Sequence, residues 1–153
     1  MSINMEGVAL HVKDVEKSIE FYTRLPNVRL LVHRPGDFAI LQMGQGRINL
    51  VSFGSDTAFR DQKFHFEVEC DDIDRTYATV LESGFDAPTP PGMRPWGEID
   101  FRINDPDGNI VEFSVPNPTL AGIVQKMAEK AQALTDAEAR LQAEQRLRDA
   151  NLQ

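Results

Sequence analysis

Residues 63–70 read K-F-H-F-E-V-E-C, and the rest of the chain is understood from this segment. Side chains alternate along a β-strand, so Phe64, Phe66 and Val68 fall on one face and His65, Glu67 and Glu69 on the other. The first face is apolar enough to pack on a helix. The second carries an imidazole and two carboxylates. Alone, this pattern suits a half-buried edge strand with a solvated face as well as the lining of a ligand site. Its neighbours must decide.

Working outward, the same sequence of elements occurs twice. Residues 7–12 form a strand with Val8, Leu10 and Val12 on one face and Ala9 and His11 on the other. Asp14 can cap a helix over 15–24, where Val15, Ile19 and Tyr22 recur at helical spacing, and Pro26 ends it. Strands follow at 28–33, 38–43 and 47–53, separated by the turns P-G-D and G-Q-G. A polar linker leads to 63–70. Asp71-Asp72 then stands where Asp14 did, before a helix over 74–83 with Ile73, Tyr77, Val80 and Leu81 as its apolar stripe. Gly84 stops that helix. A short strand near 85–87, a Pro-rich loop over 88–97 and strands at 98–103 and 110–115 complete the second copy.

Strand–helix–three strands, repeated at roughly fifty-residue intervals, predicts an α+β fold of two βαβββ modules, about 5–54 and 63–116. Together they make one domain over 1–116. Helices cover one side of each sheet, and the polar inner faces are expected to form a cup. Residues 117–153 differ in kind. Leu120, Ile123, Val124, Met127, Ala131 and Leu134 mark one helix. Thr135 and Glu138 form a capping-box pattern that predicts the start of a second, with Leu141 and Leu147 as its apolar points. This tail reads as a helical appendage or as a dimerisation arm.

Composition narrows the function classes. The 153 residues carry 16 Lys and Arg against 24 Asp and Glu, a formal charge of −8. The excess lies entirely in the body, because the tail holds 5 residues of each sign. Such a chain lacks the basic footprint of a nucleic-acid binder and favours cationic ligands or metal. Cys70 is the only cysteine, so no intrachain disulfide can form. No leader pattern and no apolar run of membrane-spanning length is present, which predicts a soluble cytoplasmic protein without membrane partners.

Three segments now carry a family likeness: D-V-E-K-S-I-E-F-Y at 14–22, F-H-F-E-V at 64–68 and D-P-D-G-N-I-V-E-F at 105–113. In this order and spacing they resemble the vicinal oxygen chelate superfamily, which includes glyoxalase I, extradiol dioxygenases, fosfomycin-resistance enzymes and bleomycin-resistance proteins. The resemblance covers about residues 5–116. It implies paired βαβββ modules, usually as a homodimer, with the ligand in the cup. It also implies metal ligands on the first and last strands of each module. His65 matches the second-module first-strand ligand and Glu112 the last-strand glutamate. The first-module histidine position is Gly7, and Asn49 stands where glyoxalases place a glutamate. His11 shares the parity of Gly7, but four residues along a strand span ~13 Å, against a metal–imidazole bond of ~2 Å. It could become a ligand only through a shifted register.

Two readings follow. In the first, the chain is a small-molecule binder lined by His11, Asn49, Glu67, Asp100 and Arg102, with Met93 and Trp96 in the loop that covers the cavity mouth in this family. Trp96 offers a stacking face, and the acidic lining suits a cationic or aromatic ligand, as in the bleomycin-resistance type. In the second, His65 and Glu112 hold one divalent ion (Fe, Mn, Ni or Zn), with His11 as the doubtful third ligand. Glu112 is then also the catalytic residue of a lyase, isomerase or dioxygenase. Extradiol cleavage is disfavoured, since the family's tyrosine three residues before the turn aspartate is Arg102 here. The D-P-D-G-N turn identifies the fold and no activity, because Pro and Gly there satisfy a tight turn.

Overall fold

The computed structural model describes all residues except 1, 2, 4, 57, 59, 87, 88, 96, 97, 116, 117, 152 and 153; residues 118–121, 123, 124, 126 and 151 are described by their backbone alone. The chain parts into two compact units, Met1–Val115 and Pro116–Gln153.

The first unit holds two copies of one topology. Strand β1 (Val8–Val12) leads into helix α1 (Val15–Thr23), followed by β2 (Val28–Arg34), β3 (Phe38–Met43) and β4 (Gly46–Ser52). Their sheet runs β1-β4-β3-β2. β1 lies parallel to β4, and the remaining pairs are antiparallel. The second copy comprises β5 (His65–Glu69), α2 (Ile73–Glu82), β6 (Gly92–Met93), β7 (Ile99–Asn104) and β8 (Ile110–Ser114), in the order β5-β8-β7-β6. Here β5 is parallel to β8. A parallel first-to-last pairing needs a crossover, which the helix supplies in each module. The repeat predicted from sequence is thus an α+β fold of two four-stranded sheets with helices.

Both helices start the same way. Asp14 is extended and accepts a hydrogen bond from Lys17 N at 3.0 Å, and Asp72 accepts one from Arg75 N at 3.0 Å. Each carboxylate satisfies an otherwise unpaired first-turn N–H and complements the positive end of the helix dipole. The apolar faces of both modules merge into one buried cluster. Leu10, Val12, Leu41 and Leu50 come from the first sheet, and Phe101, Ile103, Val111 and Phe113 from the second. Tyr22 from α1 lies against Phe66 of β5, with ring centroids 6.3 Å apart, and Phe21 meets Phe85 edge-to-face at 5.0 Å.

The D-P-D-G-N turn joins the modules. Tyr22 OH donates to the buried Asp105 Oδ2 at 2.7 Å. Asp105 also receives Asn109 N at 2.8 Å and Asn109 Nδ2 at 2.7 Å. Asn109 Oδ1 in turn accepts from Phe64 N at 2.8 Å, fixing the entry to β5. Gly108 closes the turn at φ 84°, a conformation that favours glycine. Burying Tyr22 beside a carboxylate drives its phenol pKa far above the ordinary value, so the hydroxyl stays a donor.

Two expectations are corrected. The short strand lies at Gly92–Met93 rather than near 85–87. Phe85 is buried in a loop, its ring against Phe21 and under the Arg24 guanidinium at 4.3 Å, so its apolarity serves the core; Ala87 lies outside the described residues. The tail is one helix, α3 (Pro118–Asn151), rather than two. Thr135 does not cap: its Oγ1 donates back to Ala131 O at 3.1 Å within a continuous helix. No Gly or Pro follows Gly122 to interrupt it. Among the described residues no helix is long and apolar enough to cross a membrane.

Candidate functional site

The register of the second sheet assembles its polar face. Glu67 stands opposite Glu112, and Glu112 opposite Arg102, giving one row across β5, β8 and β7. Glu69, Ser114, Asp100 and Gly92 make the next row. These residues alternate with Phe66, Val68, Phe101 and Phe113, which feed the core, so the apolar pattern itself turns the ionisable set outward from the helix side.

Glu112 sits on the central strand β8 and is only 3% exposed. A carboxylate so placed needs partners, because its desolvation is otherwise prohibitive. It has two. Arg102 Nε lies 2.6 Å from Glu112 Oε2, and His65 Nε2 lies 3.0 Å from the same oxygen. The side chains of Arg102 and His65 are 40% and 41% exposed, so they form a partly open rim above a buried acid.

Asp100, 1% exposed, has its own cation. Arg94, from the loop between β6 and β7, holds it in a two-pronged ion pair, with Arg94 Nε 2.6 Å from Oδ2 and Nη2 on Oδ1. Arg94 hydrogen bonding lowers the Asp100 carboxyl below its ordinary range, although burial opposes it; the charges of Arg94, Arg102 and His65 assist. Arg94 N also donates to Glu98 O at 2.7 Å, which tightens the loop. Sequence reasoning missed Arg94 as a site residue. The available signal was a lone arginine in a loop that returns onto an acidic strand.

With Asp100 and Glu112 compensated, Glu67 and Glu69 remain on the same face as exposed carboxylates without ion-pair partners among the described residues. Met93 does not join them. It pairs with Ile99, so the register assigns it to the face opposite Asp100, and it is well exposed. Trp96 lies outside the described residues. His11 and Asn49 lie on the first sheet, two residues apart in register across β1 and β4, in less charged surroundings that include Ile40 and Val51. Asn49 Oδ1 is buried and has no hydrogen-bond partner among the described residues. A separate groove lined by Asn27, Val28, Arg29, Gln42 and Gly44 lies at the β2–β3 edge of the first sheet, away from these groups.

A divalent ion does not fit the residues as they stand. A stable protein site needs about three donors. His65 and Glu112 are together, but their shared oxygen already carries a guanidinium. Gly7 offers no side chain, and a Cβ built there would meet Arg47 O at 2.2 Å, so β4's backbone closes that position to any ligand residue. Among the described residues no three His, Cys, Asp or Glu side chains gather as a metal-binding group.

The chain is similar to known proteins over most of its first unit. A bleomycin resistance protein of Geobacillus stearothermophilus is 30% identical over 122 residues, spanning 69% of this chain and 91% of its own. The solved structure of a glyoxalase/bleomycin resistance protein/dioxygenase superfamily member from Sphaerobacter thermophilus matches with a TM-score of 0.63 and 24% identity, over 75% of this chain and 98% of the other. A lactoylglutathione lyase from Agrobacterium tumefaciens matches at 0.61 with 19% identity, over 75% and 95%. At such identities the two structures speak for the fold alone. The family profile described as Glyoxalase/Bleomycin resistance protein/Dioxygenase superfamily matches residues 5–113. With the paired modules, the Asp-capped helices and the turn that joins them, this shows that the chain belongs to the glyoxalase/bleomycin resistance protein/dioxygenase superfamily.

Proposed function

We propose that the protein binds a small cationic or aromatic molecule on the polar face of its second module, as a sequestering protein. The observation that carries this reading is the charge left over on that face. Arg94 and Arg102 neutralise the two buried acids, while Glu67 and Glu69 stay exposed and without ion-pair partners among the described residues. Like charges two residues apart on one strand repel each other, and a cation relieves that repulsion. The likeness to a bleomycin resistance protein supports the same class of ligand. In this reading Asn49 and His11 supply polar contacts from the first module.

We also read the protein as a cytoplasmic homodimer. In the single chain, Leu30, Leu31 and Val32 on β2 and the polar face of the second sheet are both open to solvent, as expected of surfaces that a second copy covers. Burial raises the pKa of the Cys70 thiol, which suits an inert residue in a reducing compartment.

Trp96 is the only tryptophan, so its fluorescence reports on the loop that carries it. Bleomycin and a panel of smaller cationic aromatics, titrated at low salt, should give saturable quenching. The double variant Glu67→Gln/Glu69→Gln should weaken it by roughly 10-fold, and added salt should weaken the wild type in the same direction. Quenching that is unsaturable, or indifferent to both changes, would retire the proposal.

A further inference from the structure

We infer that the Arg102 guanidinium is the resident cation of this site, filling the place beside His65 and Glu112 that a divalent ion would need. The inference concerns this chain's own residues and does not depend on which ligand the polar face takes.

The geometry carries the argument. His65 Nε2 and Arg102 Nε converge on one oxygen, Glu112 Oε2, at 3.0 and 2.6 Å. An ion ligated by that oxygen and by His65 would come up against the guanidinium already held there, while Glu67, the other carboxylate of the row, makes neither contact. At short range inside a protein the repulsion between two cations is large. Arg102 Nε is itself buried and makes a contact ion pair rather than a directed hydrogen bond, so it is held by charge. Displacing it would leave the buried Glu112 carboxylate without its guanidinium partner.

The residue type fits the role. Arginine stays protonated at every working pH and is more weakly hydrated than lysine, so it tolerates partial burial beside a carboxylate. It compensates Glu112 continuously, whereas a metal would do so only when supplied. The register makes the substitution local. β7 and β8 pair Arg102 directly with Glu112, so a cationic side chain at 102 reaches the acid from the neighbouring strand. The closure of Gly7 by Arg47 O removes the third ligand position on the first module, so the two changes act in the same sense. The chain has no ligand side chain at Gly7 and carries a built-in cation at Arg102.

The test is equilibrium dialysis of the full-length, tag-free protein against Zn2+, Ni2+ and Mn2+, with bound metal measured by elemental analysis and the His65 ring followed by 15N NMR. The wild type should take up no stoichiometric metal that depends on Glu112, and its His65 signals should stay unchanged. Arg102→Met keeps most of the side-chain volume and removes the charge. It should raise Zn2+ affinity by roughly 10-fold or more, the scale on which groups next to a metal ligand act. The gain should disappear in Arg102→Met/His65→Ala, and Arg102→Lys should behave as the wild type. Circular dichroism verifies folding, with Arg102→Gln as the alternative neutral variant should Arg102→Met fail to fold. Stoichiometric wild-type metal abolished by Glu112→Gln would overturn the inference. So would folded neutral variants that gain no affinity. Both outcomes are independent of the Trp96 quenching titration, so failure of the ligand reading is distinguishable from failure of this one.

Discussion

At the residue scale, this protein balances buried charges and hydroxyls in pairs. Tyr22 shows it most simply. Its hydroxyl reaches from α1 of the first module to Asp105 in the turn of the second, at 2.7 Å in a fully buried setting. Tyr22→Phe keeps the ring packed and leaves Asp105 short of one donor. The expected loss is about 1–3 kcal/mol, the cost of an unsatisfied buried polar group, read from the urea midpoint. Asp100 extends the argument to pH. Its carboxyl titrates below the ordinary range because Arg94 hydrogen-bonds it. A carboxyl whose folded pKa is depressed contributes stability above its unfolded value, near ~3.9, and that contribution is lost as pH falls through the lower folded value. Urea midpoints across an acid series should therefore fall below about pH 4 in the wild type. Asp100→Asn should be less stable at neutral pH and should flatten that acid limb. Gly7 supplies the steric counterpart. Gly7→Ala would drive a methyl group into Arg47 O, and a loss of about 1–3 kcal/mol in thermal or chemical unfolding is expected from forced overpacking.

At the scale of elements, the site is a product of strand register. β5, β7 and β8 each alternate apolar and polar residues, and pairing them places Glu67, Glu112 and Arg102 in one row. The alternation is local and was legible in F-H-F-E-V-E. The row was not, since it depends on which residues of distant segments come opposite one another. Phe85 teaches the same lesson in reverse. An apolar residue after a helix stop reads as strand, but a partner from α1 claims it for the core. In the tail, Thr135 and Glu138 satisfy a capping pattern that the helix ignores, because no Gly or Pro lies between Gly122 and Thr135 and the i→i−4 ladder continues through. α3 presents Met127, Leu134 and Leu141 at seven-residue intervals, all exposed. That spacing keeps the three on one side of a helix, as coiled-coil seams require. If the protein is the proposed homodimer and the tail its assembly arm, a chain ending at Val115 should keep its near-UV circular dichroism and shift from dimer to monomer by light scattering. A truncated chain that stays dimeric would assign the contact to the sheets, and a full-length chain that is monomeric would retire the dimer.

At the scale of the whole molecule, repetition and charge were written in the chain. Two Asp-capped helices and two copies of strand–helix–three strands follow from a pattern that can be read twice along the sequence, whereas the parallel first-to-last pairings and the merged core came from the tertiary structure. The surplus of negative charge was likewise a matter of counting. These are properties of near neighbours and of composition, so sequence alone determined the α+β class, the paired modules and the acidic character of the body. Sequence also supplied the candidates His65 and Glu112, by likeness of motif. What only the tertiary structure decided is how those candidates are used. Arg102 meets Glu112, Arg94 meets Asp100, Tyr22 meets Asp105, and Arg47 O closes Gly7. Each of these is a contact across strands, turns or modules. Whether a buried carboxylate holds a metal or an arginine depends on which side chain arrives first in space, and no local pattern records that.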